Sequence, residues 1–357
     1  MTGVGKVSNG LSRARVRIAA AVSVGALFLL APSLPAQSAS PISTTSPFFR
    51  EVTDEAGRAV RIPQPVRRVV SLAPSLTETI YALGLQDLLV GDTDYCDYPP
   101  DAQKKTKVGG AINPSLEEIA ALHPDLVLVA KGFNRLETVH ALEELGISSY
   151  ATDPHTVEEI TTSSKKLAAV LGAPGAGDAL AEDLQRRLAD LHQRIGALPP
   201  KKVLFVVWTQ PLISAGKHTF IADALRLAGA RNIVDSDPDW PQVNLEEVAR
   251  QQPDYLVFAP SHSDSTPREI EEFSSLPGWE MLDAVANHHY VMISDAVNRP
   301  APRIVAAIEE LAREIHPEAF VEKPEGGKDK LDNGATPPKP PLLSQLFFQW
   351  RSTEKNS

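Results

Sequence analysis

The sequence predicts an α/β protein of two Rossmann-like lobes joined by a single long helix, with a ligand cleft between the lobes. Three observations carry that expectation. PSLEEIAALHPDLVLVA at residues 114–130 recurs as VNLEEVARQQPDYLVFA at residues 243–259, with seven of seventeen positions identical. Each copy reads as a short helix that stops before a Pro-Asp pair and enters an apolar run, LVLVA or YLVFA, of the length of a buried parallel strand. Between the copies, ALAEDLQRRLADLHQRIGAL keeps apolar residues at helical spacing for about five turns without a breaker, as a connector between lobes would.

In order along the chain, Lys6, Arg13, Arg15 and Arg17 precede the apolar run IAAAVSVGALFLL, and small residues follow, with cleavage expected after Ala36 or Ala39. Residues 1–39 thus read as a secretory signal peptide whose core is short for a membrane span. The only cysteine, Cys96, lies far from the cleavage region, so the mature protein is expected to be periplasmic and not a lipoprotein. A lone thiol forms no internal disulfide, and its plain reading is a small buried side chain.

Residues 49–63 alternate and turn at Glu55-Ala56-Gly57, as an opening hairpin would, with the core starting after it. The amino-terminal lobe is expected over 48–173. It starts with a strand at Val69–Leu72, a helix capped around Ser75-Leu76-Thr77-Glu78 and ending near Gly84, and a strand in LLVGD. The first repeat follows, then a helix at Leu136–Leu145, a strand in ISSYAT and a helix at Val157–Leu171. GAPGAG reads as a hinge-like linker, and it lacks the Lys-Ser/Thr ending of a phosphate loop. The connecting helix is placed at 174–198 and the carboxy-terminal lobe at 199–318. That lobe comprises a strand in KKVLFVVW, a helix at Ile221–Ala228, the second repeat, a helix near Pro267–Ser274, a strand in HYVMIS and a last helix at Ala301–Ile315. Residues 319–357, rich in Pro, Gly and Lys, read as a disordered tail.

In each repeat Ser115 or Asn244 is placed to cap its helix, and Glu118 or Glu247 three residues on completes a capping box. Glu117 and Glu246 are left without a local task beyond favourable helix-dipole placement. A net charge of −10 without any Lys/Arg-rich stripe excludes a nucleic-acid partner, which demands a basic face. His288 and His289 are adjacent in a strand and point to opposite faces, a poor arrangement for one shared ion, so no metal and no resident cofactor is expected. No nucleophile elbow occurs and nothing supports catalysis, so an exported hydrolase or metal enzyme stands only as an alternative reading.

The strings RVVSLAPSLTE, DYCDYPP, VGGAINPSLEEIAALHPDLV, SAGKHTFIADAL, DWPQVNLEEV and SDAVNRPAPRI occur in this order. Together they resemble the substrate-binding proteins of ABC importers for cobalamin, ferric siderophores and haem, above all the cobalamin-binding branch. The likeness spans about residues 48–318. It implies a monomeric, non-enzymatic carrier that holds a corrinoid between two lobes and delivers it to a dimeric membrane permease. Tyr98 and Trp240 match aromatic residues that pack on the corrin, and Asp295 and Arg299 match a polar pair at its rim. Glu117 and Glu246 match the glutamates that dock the carrier on permease arginines. Two tryptophans of that branch align with Ala111 and Ala130, which leaves a roomier cleft or one filled by groups such as Phe133. Haem or a ferric siderophore therefore stays open as cargo, and haem would call for an axial Tyr or His.

Overall fold

A computed structural model describes residues 48–259 and 276–321. The leader, most of the tail and the helix expected near Pro267–Ser274 lie outside the described residues. The chain opens with an antiparallel hairpin, β1 (Phe48–Thr53) and β2 (Ala59–Gln64). Asp54 closes its turn: Oδ1 accepts from the Ala56 and Arg58 amides, and Oδ2 accepts from the Arg58 guanidinium and, across the lobe, from the Ala151 amide. The hairpin is not a preface to the core, as its sequence implied. Val60 and Ile62 are buried in the same cluster as Val69, Leu126 and Leu128, because the alternating strand turns its apolar face onto the lobe.

The amino-terminal lobe consists of β3 (Val69–Ser71), α1 (Pro74–Ala82), β4 (Leu89–Asp92), β5 (Thr106–Lys107), α2 (Leu116–Ala121), β6 (Leu126–Ala130), α3 (Leu136–Glu144), β7 (Ser149–Thr152) and α4 (Val157–Val170). Its strands form a parallel sheet in the order β5-β4-β3-β6-β7. The helix α5 (Pro174–Ile195) leads to the second lobe. There β8 (Lys201–Val206), β9 (Trp208–Thr209), β10 (Leu212–Ile213), α6 (Phe220–Leu227), β11 (Ala230–Asn232), α7 (Leu245–Gln251), β12 (Tyr255–Phe258), α8 (Asp283–Ala286), β13 (Tyr290–Met292) and α9 (Ile304–Ile315) follow in turn. Its main sheet is parallel in the order β11-β8-β12-β13, and β9 and β10 form a small hairpin beside it.

The duplicated Pro-Asp pair has a structural use. In the first copy Asp125 donates its amide to the Arg68 carbonyl, and its carboxylate accepts from the Arg67 and Arg68 amides. In the second, the Asp254 amide donates to the Lys202 carbonyl and its carboxylate accepts from the Lys202 amide. Each aspartate thus ties the start of one parallel strand to the start of its neighbour, closing off backbone groups that the ladder leaves open.

Three local expectations are corrected. The helix α1 begins at Pro74 with Ala73 at the cap position, and Ser75 and Glu78 lie buried inside it, because proline's fixed φ suits the first helical turn. GAPGAG is no linker: Pro174 starts α5 within it, and a Cβ on Gly177 would come within 2.7 Å of the Ala168 Cβ, so the glycine permits tight packing of α5 on α4. In the second repeat Asn244 caps the Glu246 amide, while Glu247 is drawn to Arg250 and Gln251 and leaves the box incomplete. The first repeat keeps the expected Ser115 cap on the Glu118 amide at 3.2 Å, but its box is open too, because the Ser115 amide donates to the Val108 carbonyl at 2.8 Å.

The lobes are joined by more than α5. Val157 and Ile160 of α4 lie in one buried cluster with Leu184 and Leu191 of α5 and Phe205, Val257 and Ile308 of the second lobe. Asp223 of α6 accepts from the Val157 amide at 2.9 Å, and Arg187 of α5 grips Glu309 of α9 through two bonds of 2.9 and 3.0 Å.

Candidate functional site

In parallel α/β sheets, ligands are bound beyond the carboxyl ends of the strands, where the loops open. Tyr98 follows β4, and Phe133 follows β6. Trp208 follows β8, Trp240 lies between β11 and α7, and Asp295 and Arg299 follow β13. Each of these aromatic residues is at least 44% exposed, a concentration of uncovered rings at the carboxyl ends of the two sheets.

Between the lobes the structure brings together a charged cluster. Glu78 of α1, only 2% exposed at its side chain, accepts from Arg299 at 2.7 Å and from Arg303 at 2.9 Å through both carboxylate oxygens. Arg303 also donates to Asp295 at 2.9 Å, and Arg299 meets Asp97 at 2.7 Å. The two residues expected as a rim pair, Asp295 and Arg299, are only loosely joined to each other at 3.5 Å; each has a tighter partner. Burial alone would push the Asp97 carboxyl up, yet the Arg299 guanidinium outweighs it and holds the group below its ordinary value. Burial likewise works against the charge on both arginines, and the carboxylates around them more than reverse it. The Tyr98 ring lies over the Arg303 guanidinium at 3.9 Å, so one face of that ring is occupied and the other is open.

Sequence reasoning missed Glu78, Asp97, Arg303 and Trp208. Glu78 reads as a capping residue until the fold places it across from α9. Arg299 and Arg303 flank the non-helical segment Pro300-Ala301-Pro302 ahead of α9, so no helical spacing groups them and only the fold brings both onto Glu78. KKVLFVVW places Trp208 at the end of a strand; β8 stops at Val206, and the Trp208 indole, fixed by a 2.8 Å bond to the Gln210 carbonyl, belongs to the β9–β10 hairpin.

The loops carrying the aromatic residues are held from below. Asn134 donates to the Leu72 and Ala111 carbonyls at 2.8 and 2.9 Å and accepts from the Ala130 amide at 2.7 Å, which pins the turn bearing Phe133. Ala111 is buried, so this position offers no surface to a ligand, whereas Ala130 is partly open beside it. The Trp240 loop folds back on Ser214–Gly216: Gly216 donates to the Asp239 carbonyl at 2.8 Å, and a Cβ there would fall 1.9 Å from the Pro238 oxygen.

Cys96 is buried between the hydroxyls of Thr77 and Thr93, each 3.2 Å from its sulfur, and burial pushes the thiol up. His289 stacks on Tyr255 at the opposite end of the second sheet. Among the described residues no group of His, Cys, Asp and Glu is arranged to hold a metal, and no helix is long and apolar enough to cross a membrane. Surface recesses of about 410 and 420 Å³ lie away from the charged cluster, one at the start of β8 and β12 and one along α5. Glu117 and Glu246 are exposed in the first turns of α2 and α7, and neither carboxylate has an ion partner among the described residues.

Residues 69–296 match the family described as Periplasmic binding protein. The chain belongs to that family. Its members carry solutes and are not catalysts, so the exported-enzyme reading falls. Among curated relatives, the Vitamin B12-binding protein of Photorhabdus laumondii is 33% identical over 252 residues, 70% of this chain and 88% of that protein. Among solved structures, the periplasmic vitamin B12 binding protein BtuF of Vibrio cholerae superposes with a TM-score of 0.62 at 29% identity, covering 72% of this chain and 99% of that one. The periplasmic heme-binding protein RhuT from Roseiflexus sp. RS-1 superposes equally well, with a TM-score of 0.62 at 26% identity over 71% of this chain and 99% of that one.

Proposed function

We propose that this chain captures cobalamin, or a close corrinoid, between its two lobes in the periplasm and presents it to an ABC importer. The observation that carries this reading is the ring of exposed aromatic side chains at the strand carboxyl ends of both lobes, Tyr98 and Phe133 on one and Trp208 and Trp240 on the other. Flat apolar rings suit the faces of a macrocycle, and the relatives named for vitamin B12 support the choice of macrocycle. Asp295 and Arg299 supply polar contacts at the rim in this reading, and no resident cofactor or metal takes part.

Residues 1–39 serve as a cleaved export signal, the lobes divide at 48–173 and 199–318 around the 174–198 helix, and the mature protein works as a monomer. Glu117 and Glu246 dock on arginines of a two-fold permease dimer. Their exposure on equivalent helices of the two repeats supports this, and carboxylate–guanidinium pairing is strong and directional.

Calorimetric titration of the mature protein with cyanocobalamin, with hemin and a ferric siderophore in parallel, tests the cargo. Saturable one-to-one binding of cyanocobalamin is expected. Saturation by hemin or the siderophore alone would retain the carrier class and replace the cargo; the heme-binding relative makes hemin the control that matters most. For docking, Glu117→Arg combined with Glu246→Arg is expected to abolish co-capture with the permease while leaving cyanocobalamin affinity unchanged.

A further inference from the structure

The charged cluster between the lobes holds two guanidinium groups against three carboxylates, and their exposures are unequal. The Arg299 and Arg303 side chains are 15% and 17% exposed, whereas Asp97 and Asp295 are 46% and 29% exposed. Arg303 already spends four donor contacts, through Nε, Nη1 and Nη2, on Glu78 and Asp295, out of the five N–H groups a guanidinium owns. Tyr98 covers one of its faces. Arg299 gives Nη1 to both Glu78 and Asp97 at 2.7 Å and brings Nη2 to 3.5 Å from Asp295, so three carboxylates outnumber the two less exposed cations they pair with, and a ligand arriving in the cleft meets carboxylate oxygens, which accept hydrogen bonds and repel anions.

We propose that Glu78, Asp97 and Asp295 form a charge filter that consumes Arg299 and Arg303, so that the cleft takes a macrocycle with a periphery of neutral carboxamides and rejects one with ionised carboxylates. This rests on the carrier reading above and deepens it. Carboxamide NH2 groups donate to the outward oxygens of Asp97 and Asp295. Porphyrin propionates would instead face like charge, and juxtaposed like charges at an interface cost enough to change affinity by about tenfold or more. Asp97 is the decisive member. It is the most exposed carboxylate of the cluster, it meets Arg299 at 2.7 Å, and its replacement by a neutral amide would release part of that guanidinium to an incoming anion.

The probes are cyanocobalamin and its b-, d- and e-monocarboxylic acids, which differ from the parent by one hydrolysed side-chain amide and so by one charge at nearly constant shape. Each is titrated into the wild-type mature protein, Asp97→Asn and Asp295→Asn, with hemin as a further ligand and melting curves as the control for folding. In the wild type at least one acid is expected to bind about tenfold or more weakly than the parent, and one of the two variants is expected to narrow that ratio by a similar factor. Tightened hemin binding in the same variant would add support. If all three acids bind the wild type as well as the parent does, or if the ratio is unmoved in both folded variants, the filter is refuted and the cobalamin reading stands. Wild-type protein that saturates with hemin and ignores every corrinoid overturns both readings, and failure to bind any of these ligands counts against both.

Discussion

Replacing Arg303 by leucine removes four hydrogen-bonded contacts to two carboxylates and the cation beneath the Tyr98 ring, while keeping most of the aliphatic volume. Breaking a buried ion pair by deleting one partner typically costs about 3–5 kcal/mol, because the other charge is left without compensation. Here the cost is moderated: Glu78 retains Arg299 at 2.7 Å, and Asp295 can turn to water. About 3 kcal/mol is the expected loss. At about 2.1 cal/mol/K of unfolding entropy per residue, that lowers the melting temperature of a protein of this size by roughly 4–6 °C. Glu78→Gln removes the opposite charge at constant shape, and the double variant completes a cycle that isolates the coupling between the two residues. The expected result is a double variant less destabilised than the sum of the single ones, since each substitution removes the charge that the other strands. A drop below about 2 °C for Arg303→Leu, with additive effects in the cycle, would falsify the claim that this cluster ties the lobes together.

Trp208→Ala and Trp240→Ala should each weaken cyanocobalamin binding by about tenfold, as calorimetry reads it, with little change in melting temperature, because both indoles are at least half exposed. Gly216→Ala should destabilise by about 1–3 kcal/mol in urea unfolding and weaken binding together, since the added methyl must displace the Pro238 carbonyl and the loop that carries Trp240. Asp92, fully buried and bonded to Lys107 at 2.8 Å, has its carboxyl pushed up to about 6, mainly by burial, with Lys107 opposing. The folded protein then keeps a proton that the unfolded chain releases near its ordinary value of 3.8, so this residue lowers stability as pH rises from about 4 to about 6. The slope from one group is at most about 1.4 kcal/mol per pH unit, and Asp92→Asn should flatten it in melting curves taken across that range.

The elements that sequence revealed best are those whose cause is local. The repeat predicts α2 with β6 and α7 with β12 because each copy contains its own cap, helix stop and apolar run. The connecting helix is visible through its periodicity. What escaped has causes distant in sequence. Glu78 reads as the last residue of a cap that starts at Ser75, yet its carboxylate is claimed by guanidinium groups 221 and 225 residues away. GAPGAG looked flexible by composition, but Gly177 is there so that two helices can touch. Val60 and Ile62 looked like part of a surface hairpin, and the lobe they cover begins several residues later. At the site, the aromatic residues could be placed from their strings, whereas the division of Asp295 and Arg299 between separate partners appears only once both lobes are folded.

Val157 and Ile160 share a dry interior with Phe205 and Val257, so the back of the molecule is a weld and not a hinge. A body welded at its back can part only at its mouth, since wider opening would drag apolar side chains into water. Loaded and empty carriers then hold Glu117 and Glu246 at much the same spacing. Under the docking proposed above, a membrane partner gripping those two points would gain no caliper reading of whether cargo is aboard. On that reading the force that spreads the mouth would have to come from the partner, and the weld would give it something firm to pull against.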